Sequence, residues 1–301
     1  MEKYLDLARL GKNEWWRTVL AVALMLFMWQ LLGALPAVLL TINAIQQPGF
    51  QPGSASHGFP GAETLAGFLA IMLASVFFAA GIYLSMRFIH QRSWRTLVTP
   101  EKSINAKRLG QGFAAWFVLA ALISVVEALL YPGRYVWQWQ MGHFLPYAIL
   151  ALVFIPIQTT AEELFFRGYI LQGFGLRSRN TWLLCSLSGL LFGLPHLLNP
   201  EASTNYSLLG FFYFAFGFFL AFITLRDGRL ELALGAHAAN NLFSVLIANY
   251  TVSVLPSPSI FSIKTLDAGY SVVSAICAMG IFVCLFFWPW KKKEREEKGL
   301  G

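Results

Sequence analysis

The sequence predicts an all-α membrane protein: a polytopic bundle of about eight transmembrane helices, with both termini on the cytoplasmic side. Three observations carry that expectation. The 301 residues are 57% hydrophobic and only 12% charged, whereas a soluble domain carries roughly 25% charge. Apolar runs of about 20 residues, the length a bilayer requires, recur along the chain. Lysine and arginine are concentrated in every second connection. No polar stretch is long enough for a soluble domain, so residues 1–301 read as one integral membrane domain. The net charge of +7 lies in short loops and at the C-terminus. It therefore suits topology and anionic lipid headgroups, and no nucleic-acid partner is expected.

The expected spans are roughly 18–42, 64–86, 110–131, 146–176, 181–198, 207–225, 230–250 and 270–290. The fifth is short and ends at Pro195 and Pro200; the fourth is long enough to project beyond the hydrocarbon. Residues 87–108 carry Arg87, Arg92, Arg95, Lys102, Lys107 and Arg108. The turns at Arg177/Arg179 and Arg226/Arg229 and the tail 291–301 are also basic, while the intervening loops nearly lack such residues. This alternation places both termini in the cytoplasm, as an even number of spans also requires. Trp15, Trp16, Trp288 and Trp290 fall where interfacial aromatic belts occur. The N-terminal stretch before Trp15 is polar and amphipathic, with no cleavage site closely following the first apolar run. The setting expected is a bacterial plasma membrane. His57 reads as a solvated loop residue, and His90 and His143 as loop residues without a visible partner. Glu127, near the outer end of the third span, reads as interfacial or structural. Cys185, Cys277 and Cys284 lie in apolar segments and read as small buried hydrophobes.

Against this apolar background the ionisable groups inside the spans stand out. Glu162 and Glu163, followed by Arg167, interrupt the run from Ile155 to Ile170. Each ionised group costs about 2.5 kcal/mol or more at a bilayer centre, so such residues mark functional interiors. If the fourth and fifth spans form a hairpin turning near Arg179 and Asn180, Glu162 and His196 return to similar depth, ~25 Å along the helix from the turn. His237 and Asn241 share one face of the seventh span, ~12–18 Å from its start. Glu162, His196, His237 and Asn241 are thus expected in one layer. Glu163 and Arg167 stand at i, i+4 in the favourable order for an ion pair. Glu162 points about 100° away from that pair and faces the cavity.

These residue types suit hydrolysis. A carboxylate beside an imidazole takes a proton from water and passes it to a leaving amine. A second imidazole and an amide donate hydrogen bonds to a developing oxyanion. No serine or cysteine nucleophile is required. The rival readings are a proton-coupled transporter and a non-catalytic scaffold or immunity protein. The rhomboid G-x-S-G and the aspartyl G-x-G-D signatures are absent from the sequence.

Three strings occur in order between residues 146 and 250, the expected catalytic core. Glu162-Glu163-Leu164-Phe165-Phe166-Arg167 resembles the E-E-x-x-x-R motif of the CPBP intramembrane proteases, which include the CaaX prenyl endopeptidases and bacteriocin-processing or immunity proteins. Phe192 to His196 resembles their F-x-x-x-H, and His237 to Asn241 their H-x-x-x-N. The eight-span layout also resembles the Ras-converting CaaX endopeptidase. The resemblance implies that Glu162 and His196 activate water, that His237 and Asn241 form the oxyanion site, and that Glu163 and Arg167 support it. It implies a peptide or lipidated protein as substrate. The family is often called metalloproteases, and Glu162, His196 and His237 would be three ligands for zinc. The ligands lie on separate helices and H-E-x-x-H is absent, so a mechanism without a cofactor is the expectation and zinc the alternative.

Overall fold

The computed structural model describes residues 1–48 and 59–288. The expectations for His57, Trp290 and the tail 291–301 lie outside the described residues. The elements run α1 (Glu2–Asp6), α2 (Trp15–Leu26), α3 (Leu35–Ile45), α4 (Leu65–Leu84), α5 (Ala106–Leu130), α6 (Met141–Glu163), α7 (Leu171–Gly175), α8 (Thr181–His196), α9 (Tyr206–Asp227), α10 (Glu231–Leu246) and α11 (Ala268–Phe287). π-Helical turns join α2 towards α3 (Phe27–Leu32), extend α4 (Ser85–Ile89) and join α6 to α7 (Leu164–Ile170). Each expected span overlaps a helix or a run of joined helices.

Fewer helices are of full span length than the eight spans expected. Among the described residues six helices are long and apolar enough to cross a membrane: Trp15–Ile45, Leu65–Ile89, Ala106–Leu130, Met141–Gly175, Tyr206–Asp227 and Ala268–Phe287. The expected fifth and seventh spans are α8 and α10, each of 16 residues. At 1.5 Å per residue that is about 24 Å, short of the ~30 Å hydrocarbon. The end of the expected seventh span is not helical either, because Ala248–Tyr250 form a strand.

That strand belongs to a small sheet that hydropathy did not foretell. β1 (Tyr135–Trp137), β2 (Ala248–Tyr250) and β3 (Phe261–Ile263) lie in the order β1-β3-β2, with β1 antiparallel and β2 parallel to β3. Glu127 is only 4% exposed and accepts bonds at this end from Arg134 Nη1 (2.8 Å) and Tyr135 Oη (2.7 Å). Its role is structural.

The lipid-facing surface is apolar. Val118, Leu122, Val125 and Leu129 are exposed at helical spacing along one side of α5. Cys277 and Cys284 are exposed on α11, contrary to expectation, and Cys185 is buried. A solvent of hydrocarbon lets small apolar side chains face outward at no cost.

α10 runs through the interior, with nearly every residue from Glu231 to Ala239 buried. Two glycines make this path available. A Cβ on Gly112 of α5 would stand 2.4 Å from Leu232 O, and one on Gly235 of α10 would stand 2.1 Å from Leu109 O. The backbones therefore cross in a contact that no larger residue permits, as small residues allow in membrane helices. His237 follows Gly235 by two residues, so this crossing fixes its position.

The N-terminal stretch is part of the fold. Tyr4 is fully buried and its hydroxyl donates to Leu97 O (2.7 Å) and Arg167 O (3.2 Å). Arg92 Nη1 donates to Leu7 O (2.7 Å) and Gln172 Oε1 (3.0 Å). His90 is 2% exposed and hydrogen-bonded to Lys12 O (2.7 Å) and Tyr169 Oη (2.8 Å). It is therefore a packing residue, not the partnerless loop histidine expected. His143 also differs: it lies in the first turn of α6.

Candidate active site

Four helices supply the polar residues. α6 enters with Pro146 and Pro156 in its body and gives way to the π-helical turn directly after Glu163, a conformation often found at functional sites. Asn180 caps the start of α8 by accepting from Leu183 N (3.1 Å), and α8 ends at His196. α10 presents His237, Asn240 and Asn241. α9 closes against α8 where Gly189 leaves no room for a Cβ, which would stand 2.7 Å from Phe214 O.

Glu163 and Arg167 are fully buried and paired, Nη1 to Oε1 at 2.9 Å. The Arg167 guanidinium also donates to Gly217 O (3.2 Å) and lies over the Phe192 ring, 4.4 Å from its centre. The same Glu163 oxygen bonds His237 Nδ1 at 2.7 Å. Glu163 thus joins the ion pair to an imidazole, a second role that the i, i+4 spacing gave no sign of. Because a carboxylate only accepts, His237 carries a proton on Nδ1, and its Nε2 points at Glu162 Oε2, 3.7 Å away. That Glu162 oxygen is buried and has no hydrogen-bond partner among the described groups. The other, Oε1, accepts from Gln158 Nε2.

His196 is held from three sides. Its Nδ1 donates to Phe192 O (2.7 Å), and its ring packs at a tilt against Phe192 and Tyr213, with centres 4.3 and 4.9 Å away. A carbonyl can only accept, so Nε2 of the neutral ring keeps its lone pair. Tyr213 in turn donates to Glu201 Oε1 (3.1 Å). Asn241 Nδ2 donates to Gln158 Oε1 (3.0 Å), and Asn241 Oδ1 accepts from Asn240 Nδ2 (3.0 Å).

Glu162, His196, His237 and Asn241 all line one cavity of about 560 Å³, together with Gln158 and Tyr213. Glu163 and Arg167 are not in its wall. The structure therefore brings the four expected cavity residues together and separates the two carboxylates by face. Sequence reading missed Gln158, although its i, i+4 spacing from Glu162 was a usable signal. It also missed Tyr213, for which no signal existed. The cavity wall is mostly apolar, with Trp29, Ile71, Phe166 and Phe212 among its residues.

Among the described residues no group of three or more His, Cys, Asp or Glu side chains is gathered as metal ligands. No step below is routed through a metal.

The chain is similar to a known family and to a curated protein. The sequence model of the family described as "Type II CAAX prenyl endopeptidase Rce1-like" matches residues 137–243, a range that holds every polar residue of the site named above. An uncharacterized protein of Bacillus subtilis (strain 168), YyaK, is 32% identical over 293 residues, covering 96% of this chain and 97% of its own length. No solved structure matches the chain.

Proposed function

Because this chain belongs to the Rce1-like family of type II CAAX prenyl endopeptidases, we propose that it is an intramembrane endopeptidase in which Glu162 and His196 activate water. The family carries the coarser statement: this is an integral membrane protein of a peptidase family. Residue roles, mechanism and substrate are our reading. The observation that carries it is the Glu162 oxygen without a protein partner, 3.7 Å from His237 Nε2, in the cavity it shares with His196 and Asn241.

Water placed against Glu162 Oε2 gives up a proton to the carboxylate as its oxygen attacks the scissile carbonyl carbon. His196 accepts from the same water through the lone pair on Nε2. The carbonyl oxygen becomes an oxyanion, towards which Asn241 has a second N–H to offer, one of the two on Nδ2 being used by Gln158. His237 donates from Nε2 when both its nitrogens are protonated. The two carboxylates and Arg167 then sum with it to zero net charge, which favours burial. The peptide C–N bond breaks as the proton held by Glu162 passes to the leaving nitrogen. The substrate class proposed is a membrane-associated or lipidated, CaaX-like peptide, and the setting a bacterial plasma membrane.

The test uses an internally quenched, farnesylated CaaX peptide with the protein in lipid vesicles. Cleavage should be lost in Glu162→Gln, His196→Ala and His237→Ala. It should fall by about 10²–10³-fold in Asn241→Ala, the usual effect of removing one oxyanion donor. Full activity in any of these removes that residue from the mechanism. A folded wild-type protein that cuts neither this peptide nor its unlipidated form overturns the proposal.

A further inference from the structure

A line of hydrogen bonds runs from the buried aromatic core into the site and ends on Glu162. Trp116 Nε1 donates to Asn240 Oδ1 (3.2 Å), Asn240 Nδ2 to Asn241 Oδ1 (3.0 Å), Asn241 Nδ2 to Gln158 Oε1 (3.0 Å), and Gln158 Nε2 to Glu162 Oε1. Three helices contribute: α5, α10 and α6. The direction is fixed from both ends. An indole N–H can only donate, and an ionised carboxylate can only accept. Between them stand three amides, each of which donates with its nitrogen and accepts with its oxygen. Reversing any one of them would set donor against donor or acceptor against acceptor, so the two ends demand the same orientation throughout.

From this we infer that Gln158 is a positioning residue for the hydrolysis proposed above: it holds one oxygen of the Glu162 carboxylate so that the other faces the water. The inference rests on that reading of Glu162. Glu162 is otherwise a long side chain with free rotamers at a cavity wall. With Oε1 tethered, Oε2 is the oxygen presented to His237 Nε2. Gln158 is itself steadied by Asn241 and, through Asn240, by the well-buried Trp116 indole, 5% exposed. The line also couples the two halves of the site, because Asn241 cannot shift without moving the group that holds Glu162. Buried hydrogen bonds in such lines polarise and reinforce one another.

The experiment measures kcat and KM separately on the quenched farnesylated peptide, for wild type, Gln158→Met, Gln158→Glu, Trp116→Phe and Glu162→Gln. Met matches Gln158 closely in size, so a space-filling role tolerates it. Loss of a hydrogen bond to a charged group should lower kcat about ten- to hundredfold in Gln158→Met, with KM within about twofold. Gln158→Glu, which puts a second carboxylate against the first, should be lower still. Trp116→Phe keeps the aromatic packing and removes only the distant donor, so its kcat should fall a few-fold. This variant decides the matter if Gln158→Met does not fold. Should Glu162→Gln be inactive while Gln158→Met, or in its place Trp116→Phe, keeps wild-type kcat, the inference fails alone. A raised KM at unchanged kcat would make Gln158 a substrate contact and equally overturn it. Turnover retained in Glu162→Gln would end the hydrolytic reading, and this inference with it.

Discussion

Replacing Gly235 with alanine tests the argument that backbone contact places the His237 imidazole. The new Cβ would stand 2.1 Å from Leu109 O and 2.6 Å from Phe113 N, both backbone atoms. Carbon and oxygen rarely approach closer than about 3.3 Å, so α10 must withdraw from α5 by about 1.2 Å. Overpacking of this kind costs ~1–3 kcal/mol, occasionally more. The functional effect should exceed the stability effect. His237 sits two residues along, and a displacement near 1 Å at reacting groups costs about 10²-fold in rate. Gly110, on α5 but facing open space with nothing within 4 Å of an added Cβ, is the control. Alanine there should gain ~1 kcal/mol of helix propensity. Thermal unfolding in detergent and turnover of the quenched peptide read both effects. Gly235→Ala with wild-type turnover, or a matching loss in Gly110→Ala, would refute the reasoning.

Three further outcomes follow from the geometry. Glu163→Gln leaves Arg167 as an uncompensated buried charge and should destabilise by about 3–5 kcal/mol; adding Arg167→Met should restore much of the stability but not the turnover, because His237 has lost its anionic partner and meets a neutral amide instead. Burial holds His90 below the usual histidine range, outweighing its bond to Lys12 O. The unfolded chain therefore binds this proton more readily, and stability is present above pH ~6.5 and lost as pH falls below it. Amide protection over residues 4–13, taken relative to the intrinsic exchange rate at each pH, should fall between pH 7.5 and 5.5, and His90→Gln should flatten that dependence; an unchanged slope in the variant would contradict it. Finally, exhaustive chelation should leave turnover intact, whereas loss restored by stoichiometric zinc would replace the metal-free mechanism.

How much of this was legible in the sequence depended on whether a signal lay along one helix or between helices. Hydropathy located the apolar rods, and the i, i+4 rule anticipated the Glu163–Arg167 pairing, because both are properties of a single segment. The shortness of α8 and α10 was harder to see. The apolar pattern continues past His196 and through Ala248, but Leu197 onward turns away and Ala248–Tyr250 pair with β3 instead. His90 looked like a loop residue because its partners, Lys12 and Tyr169, lie 78 and 79 residues away. The same distinction governs the candidate site. Its identity-bearing groups were readable as spaced motifs, yet each is aimed by a group on another element or by its own backbone. His237 is aimed by Glu163, Asn241 by Gln158, and His196 by the Phe192 carbonyl beneath Tyr213. Each of these groups has a protein partner inside the bundle, so the side chain is fixed by whichever partner the packing supplies. The orientation of each reacting atom is therefore a property of the helix crossings, above all that of α5 over α10 at Gly112 and Gly235. A substitution there should change the chemistry while leaving every motif residue in place.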